Sequence, residues 1–169
     1  MSKYPLIQSE NGEYYSGHYC KSKEMRISVE ESLKKVKFDT CLELLPEDGS
    51  FPCPYENAYD FLQGACNLFI VPLFQMYEYD VFEIIDENGE TIHWYASTQH
   101  QGIRLYIDVR GATSDFEKFI FPFSQKIKME YSVIQRQGED LLFKEDWSDT
   151  GELFAYSIIG TYEEYYKID

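Results

Sequence analysis

Three residues in the middle of the chain carry side chains that can do covalent chemistry together: Cys66 in FLQGACNLFIVPL, His93 in TIHWYA and Asp108 in IRLYIDVRG. A thiol becomes a strong nucleophile once ionised, an imidazole can take and return its proton, and a carboxylate can fix the imidazole tautomer and stabilise its charged form. Cys66 follows Gly-Ala where an apolar segment begins, and a helix starting there would offer a thiolate its N-terminal N–H groups and its dipole. Each residue also has a plain structural use. A cysteine on an apolar helix face is a small core residue, a strand histidine can be a surface or hydrogen-bonded residue, and an Asp before Val-Arg-Gly can simply form a turn.

The elements that would position these groups are legible from periodicity. In IRLYIDV the apolar residues Ile103, Leu105, Ile107 and Val109 alternate with Arg104, Tyr106 and Asp108; in TIHWYA the same alternation separates Ile92, Trp94 and Ala96 from His93 and Tyr95. If the two strands form a hairpin closed by QHQG, residues 99 to 102, Thr98 lies opposite Ile103 and His93 lies directly opposite Asp108. Opposed residues in an antiparallel pair have Cβ atoms about 4.5–5.5 Å apart, within reach of an imidazole–carboxylate hydrogen bond. A slip of one residue would put the two side chains on opposite faces.

The strings GAC at a helix start, HWY in a strand and YIDVRG closing the next strand resemble the core of papain-like and transglutaminase-like cysteine proteins, over roughly residues 57 to 120. More narrowly they resemble small bacterial proteins with a GxC helix start, a strand His and a D-[IV]-R-G motif. The resemblance implies Cys66 as nucleophile, His93 as general base and then acid, Asp108 as orienter, and Gln63 as an oxyanion-hole amide, although Gln63 stands closer to the cysteine than its counterpart in papain-like enzymes. Asn67 and Pro72 depart from that family pattern.

Elsewhere, Ser28 and Glu31 form a capping box before a helix over roughly residues 29 to 37, and residues 1 to 24 read as an irregular arm or an edge strand. LPEDGSFPCP reads as a loop, and YENAYDFLQ as about two helical turns ended by Gly64. From Cys66 onward Phe69, Ile70, Leu73, Phe74 and Tyr77 mark one face of a core helix, in which Pro72 predicts a kink or a break. DVFEIID, TIHWYAST and IRLYIDVR read as an antiparallel meander, with Asn88-Gly89 as its clearest turn. Ser114 or Thr113 is expected to cap a short helix through SDFEKFI. KIKMEYSVIQR reads as a strand with LLFKEDW as a hairpin partner, and the tail from Thr150 as a helix weakened at Gly160. The chain of 169 residues therefore reads as one domain, 1–169, of the α+β class: an antiparallel sheet with helices on one face and a closing C-terminal helix.

Composition narrows the partners. Fifteen Lys and Arg against 30 Asp and Glu leave a net charge of −15, which disfavours nucleic acid and favours basic peptides, amines or a basic protein. Cys20, Cys41, Cys53 and Cys66 contain no CxxC pair, and His18 with Cys20 would need ligands from elsewhere, so neither a metal nor another cofactor is expected. The longest apolar run, LFIVPLF, is too short to span a bilayer, and free thiols with no signal-like N-terminal run suggest the cytoplasm. Arg110 and Gly111 are expected to serve structure, the arginine by pairing with an acid and the glycine through a positive φ; His100 is expected at a solvated hairpin tip. Two functions follow as expectations: a cysteine-dependent hydrolase or acyl transferase on an amide or peptide bond, or a non-enzymatic acidic protein of the immunity, inhibitor or anti-defence type that binds a basic partner.

Overall fold

The computed structural model describes residues 6–37, 55–125, 127, 130–137, 139 and 148–169. LPEDGSFPCP and LLFKEDW lie outside the described residues. The fold is α+β, built on an antiparallel sheet that has seven strands among the described residues. The strands are β1 (Ile7–Gln8), β2 (Tyr14–Tyr15), β3 (Asp80–Asp86), β4 (Thr91–His100), β5 (Ile103–Asp108), β6 (Gly111–Thr113) and β7 (Tyr131–Arg136), in the spatial order β1-β2-β6-β5-β4-β3-β7. The described helices are α1 (His18–Met25), α2 (Val29–Lys34), α3 (Asp60–Gln63), α4 (Cys66–Tyr77), α5 (Phe116–Ile120), α6 (Ser148–Thr161) and α7 (Glu163–Tyr166).

Residues 6–25 take the edge-strand alternative and add a helix. They supply two short strands, which extend the sheet past β6, and helix α1. Ser28 caps α2 as the capping box requires, its hydroxyl accepting from the Glu31 N–H at 3.1 Å. At α5 the cap is Asp115, whose carboxylate accepts from the Lys118 N–H, and not Ser114 or Thr113; those residues are taken up by β6 and the turn after it. The expected two turns before Gly64 shrink to the single turn of α3.

Helix α4 runs for twelve residues through Pro72, so of the expected kink or break the break does not occur. Burial explains how the proline is tolerated. Leu68, Phe69, Ile70, Val71, Pro72 and Leu73 are all buried, because α4 lies between α6 and the strands β3, β4 and β5. A helix held on both sides keeps its path even where Pro72 cannot donate to the Leu68 carbonyl. Phe61, Phe69, Phe154 and Tyr166 pack as a chain of rings beside it.

The β4–β5 hairpin is tighter than expected. Gln101 and Gly102 form a two-residue turn with φ of 51° and 80°, the two left-handed positions of a type I′ turn. The loop is therefore 101–102 and not 99–102, His100 pairs with Ile103, and Thr98 pairs with Leu105. The register differs from the expected one by two residues. His100 is not a free tip residue either: its ring packs edge-on to Tyr14 and its Nδ1 lies 3.2 Å from a main-chain oxygen of Asp169.

Strand β7 pairs with β3 on the side away from β4, last in the order of the described strands. Helix α6 continues through Gly160 to Thr161, and α7 follows after Tyr162. The tyrosines of the tail are largely core: Tyr165 and Tyr166 are buried, and the Tyr166 hydroxyl donates to the Val109 carbonyl at 2.7 Å.

Candidate active site

Strand β5 ends at Asp108 because the chain turns back at once: Asp108 pairs with Gly111 across the turn into β6. The Asp108 carboxylate helps shape that turn by accepting from the Arg110 main-chain N–H at 2.9 Å. Gly111 has φ of 112°, and a Cβ there would come within 2.5 Å of the Ser16 carbonyl oxygen, so only glycine lets the β2–α1 junction approach this closely. The turn expected of Asp-Val-Arg-Gly is thus real, and it coexists with the pairing of Asp108 and His93.

His93 Nε2 and Asp108 Oδ2 are 2.8 Å apart, with both side chains almost fully buried. An ionised carboxylate only accepts, so Nε2 carries the proton and donates it, leaving Nδ1 as the nitrogen free to act as a base. Nδ1 is buried and has no well-formed hydrogen bond among the described residues. The Cys66 thiol also interacts with this ring, each group favouring the charged form of the other. The imidazole is held in plane by Phe123, which stacks on it at 4.3 Å between centroids, and by Phe119 at 5.8 Å.

Cys66 is the first residue of α4, with Ala65 preceding it as the cap residue. The main-chain N–H groups of Asn67 and Trp94 lie where they favour a charged sulfur. The second is available because the β4–β5 ladder begins only at Ala96 and Ile107, which leaves the inner part of β4 without a β5 neighbour. Burial opposes ionisation of the thiol. The His93 ring and those two N–H groups outweigh it and hold the thiol below its ordinary range. His93 moves the opposite way: burial disfavours its charge, but Asp108 and Cys66 together raise it above its usual value. The two shifts favour one state, a thiolate facing an imidazolium.

Arg110 completes the cluster, and its pairing with an acid matches the structural role expected from the sequence. Its Nη2 donates to Asp108 Oδ2 at 2.7 Å and its Nε donates to both carboxylate oxygens, at 3.1 and 3.2 Å. The guanidinium lies over the rings of Phe119, Tyr19 and Phe123. Burial works against the Asp108 charge, but Arg110 and then His93 hold the carboxyl well below the usual carboxylate range. A cavity of about 590 Å³ lies on the other side of Arg110, with Tyr19, Leu62, Lys118 and Phe121 in its wall; Cys66 and His93 take no part in that wall.

Gln63 sits on α3, exposed, with its amide nitrogen donating to the Tyr59 hydroxyl at 2.7 Å. The structure thus brings Cys66, His93 and Asp108 together and ties the Gln63 amide to its own helix. Next to it, Gly64 is exposed, with no described atom within 4 Å of the point where a Cβ would stand. His18, singled out with Cys20, is buried, contacts Ser32 Oγ at 2.7 Å and is pushed down to about 3 by burial. Among the described residues no three His, Cys, Asp or Glu side chains are grouped to hold a metal ion, and no helix is long and apolar enough to cross a membrane.

Arg110 is the residue whose part in the cluster residue order alone understates. Its spacing carries a signal, since Asp and Arg two apart at the end of a strand straddle one turn, but the closure of that turn onto the carboxylate is a three-dimensional fact. Comparison with protein-family models, with curated proteins and with solved structures returns no match.

Proposed function

We propose that the protein is a cysteine-dependent hydrolase or acyl transferase acting on an amide or peptide bond, of the papain-like or transglutaminase-like kind. The observation that supports this reading is the series formed by the Cys66 thiol at a helix N-terminus, the His93 ring and the Asp108 carboxylate at 2.8 Å. The thiolate would attack the carbonyl carbon, and the resulting oxyanion would lie against the N-terminal N–H groups of α4. His93 would give its Nδ1 proton to the departing amine as the tetrahedral centre collapses to a thioester. Water or a second amine would then attack the thioester, with His93 Nδ1 taking the proton and Cys66 leaving as thiolate. The net charge of −15 would draw basic peptides or amines toward such a site.

A second reading, an acidic protein that binds a basic partner without catalysis, is favoured by the burial of the cluster: His93 is 0% exposed and Cys66 only 8%. Iodoacetamide alkylation of the folded protein across pH, with the modified cysteine located by mass spectrometry, separates the two. The enzyme reading expects Cys66 to react below pH 7 and ahead of Cys20, whose thiol is raised by burial. A Cys66 that titrates as an ordinary thiol near pH ~8.5, or stays inert in the folded state, overturns it.

A further inference from the structure

We infer that Arg110 is a positioning residue for this site: by neutralising Asp108 it allows the Cys66–His93 pair to ionise inside the protein. The inference rests on the proposed nucleophile and concerns how the fold permits it to carry charge.

Buried charges in the cluster have to balance. Asp108 and Arg110 have side chains 2% exposed and are joined by the three guanidinium contacts described above. With that pair closed, transfer of the Cys66 proton to His93 creates one new positive and one new negative group, and the cluster stays neutral. Without the guanidinium, a protonated His93 and Asp108 would already form a closed pair, and a thiolate would then be an unmatched buried anion.

Among the described residues, no other group nearby can take the place of Arg110. From α1, His18 is held neutral above about pH 3, and Tyr19 is raised and stays protonated. From α7, Tyr166 is raised and donates its proton to a main-chain carbonyl. Among the described residues, the α5 side and the turn after it present Phe119 and Phe123 to the ring of His93. Glu30, Asp115, Glu117 and Lys118 line the cavity beyond Arg110, and none of them is a leading influence on Asp108, His93 or Cys66. The guanidinium is also fixed in direction by three aromatic rings, so its fork can serve only this carboxylate.

The test is the pH midpoint of Cys66 alkylation in four proteins: the natural chain, Arg110→Met, Arg110→Lys and Arg110→Met/Asp108→Asn, each checked for native near-UV circular dichroism. Arg110→Met is expected to raise the midpoint by about one to three pH units. Arg110→Lys, which keeps the charge, is expected to recover most of that shift. The double variant removes both charges, restores the neutral count and is expected to fall back toward the natural midpoint. A purely structural arginine predicts a double variant no better than Arg110→Met, and that result overturns the inference. If Arg110→Met does not fold, the Arg110→Lys and double variants carry the same comparison, and ordinary midpoints in both overturn it. An ordinary midpoint in the natural chain instead removes the nucleophile itself, so the two failures are distinguishable.

Discussion

His93 and Asp108 are diagonal neighbours, not opposed ones. The β4–β5 register pairs Ala96 with Ile107 and, continued by one step, sets Asp108 across from Tyr95. The carboxylate nevertheless reaches His93 Nε2 at 2.8 Å, because residues two apart on a strand share a face and the β4–β5 ladder has ended before Asp108, whose pairing is with Gly111 of β6. The two-residue difference from the expected register preserves the parity on which the contact depends.

Breaking the Asp108–Arg110 pair from one side should cost stability. Asp108→Asn leaves a buried guanidinium without its counter-charge, a loss expected at about 3–5 kcal/mol. In urea unfolding, Asp108→Asn and Arg110→Met together should be less destabilising than the sum of the two single changes. Strict additivity would mean that the pair contributes no coupling.

Acid should destabilise the protein in two separable steps. His18 has a folded-state value of about 3 against an ordinary 6.5, so the unfolded chain takes the extra proton first and stability falls as pH drops between those values. The slope contributed by one such group is at most about 1.4 kcal/mol per pH unit. His18→Gln should flatten the unfolding free energy between about pH 6 and 4. The Asp108 contribution has the depressed-acid sign: it is present above the ordinary carboxylate value of 3.8 and is lost below it, as pH falls toward the lowered folded value. An unchanged slope in the His18 variant would place the acid sensitivity elsewhere.

Two glycines with positive φ should respond differently to alanine. Gly89, with φ of 80° and nothing within 4 Å of the point where a Cβ would stand, should lose about 1–2 kcal/mol from backbone strain alone. Gly111 adds a 2.5 Å clash with the Ser16 carbonyl oxygen, so Gly111→Ala should lose more than Gly89→Ala and should also disturb Cys66 reactivity. Thermal unfolding and the alkylation rate measure both.

Pro72→Ala should show whether α4 is strained by its proline. Restoring the N–H gives the Leu68 carbonyl a partner and adds up to about 3 kcal/mol of helix preference, set against lost packing of a buried ring. A net gain in unfolding free energy is expected. A net loss would mean that the ring's packing outweighs the missing hydrogen bond.

The α+β class, the meander of β3, β4 and β5, the start of α4 at Cys66 and the shared face of His93 and Asp108 are all readable from residue order, because each depends on local periodicity and turn chemistry. The Asn88-Gly89 turn forms as read, with Asp86 accepting from the N–H groups of Asn88 and Glu90. An edge strand near the start of the chain is one of the two readings residue order allows, but β1, β2 and β6 cannot be placed from it, since they are two or three residues long and exist only by pairing with each other and with β5. The hairpin loop escapes a sequence reading because Gln101 adopts a positive φ that its side chain does not announce.

Residue types and spacing by themselves determined which groups could meet: a thiol opening an apolar helix, and an imidazole and a carboxylate on one face of adjacent strands. Tertiary structure decided the charges. Whether Cys66 ionises depends on how far it is withdrawn from water and on which cations share that space, and Arg110 enters that balance only because the Asp108–Gly111 turn folds its guanidinium back onto the carboxylate beneath three aromatic rings. Burial and electrostatics are sums over neighbours distant in sequence, so no local pattern could have contained them.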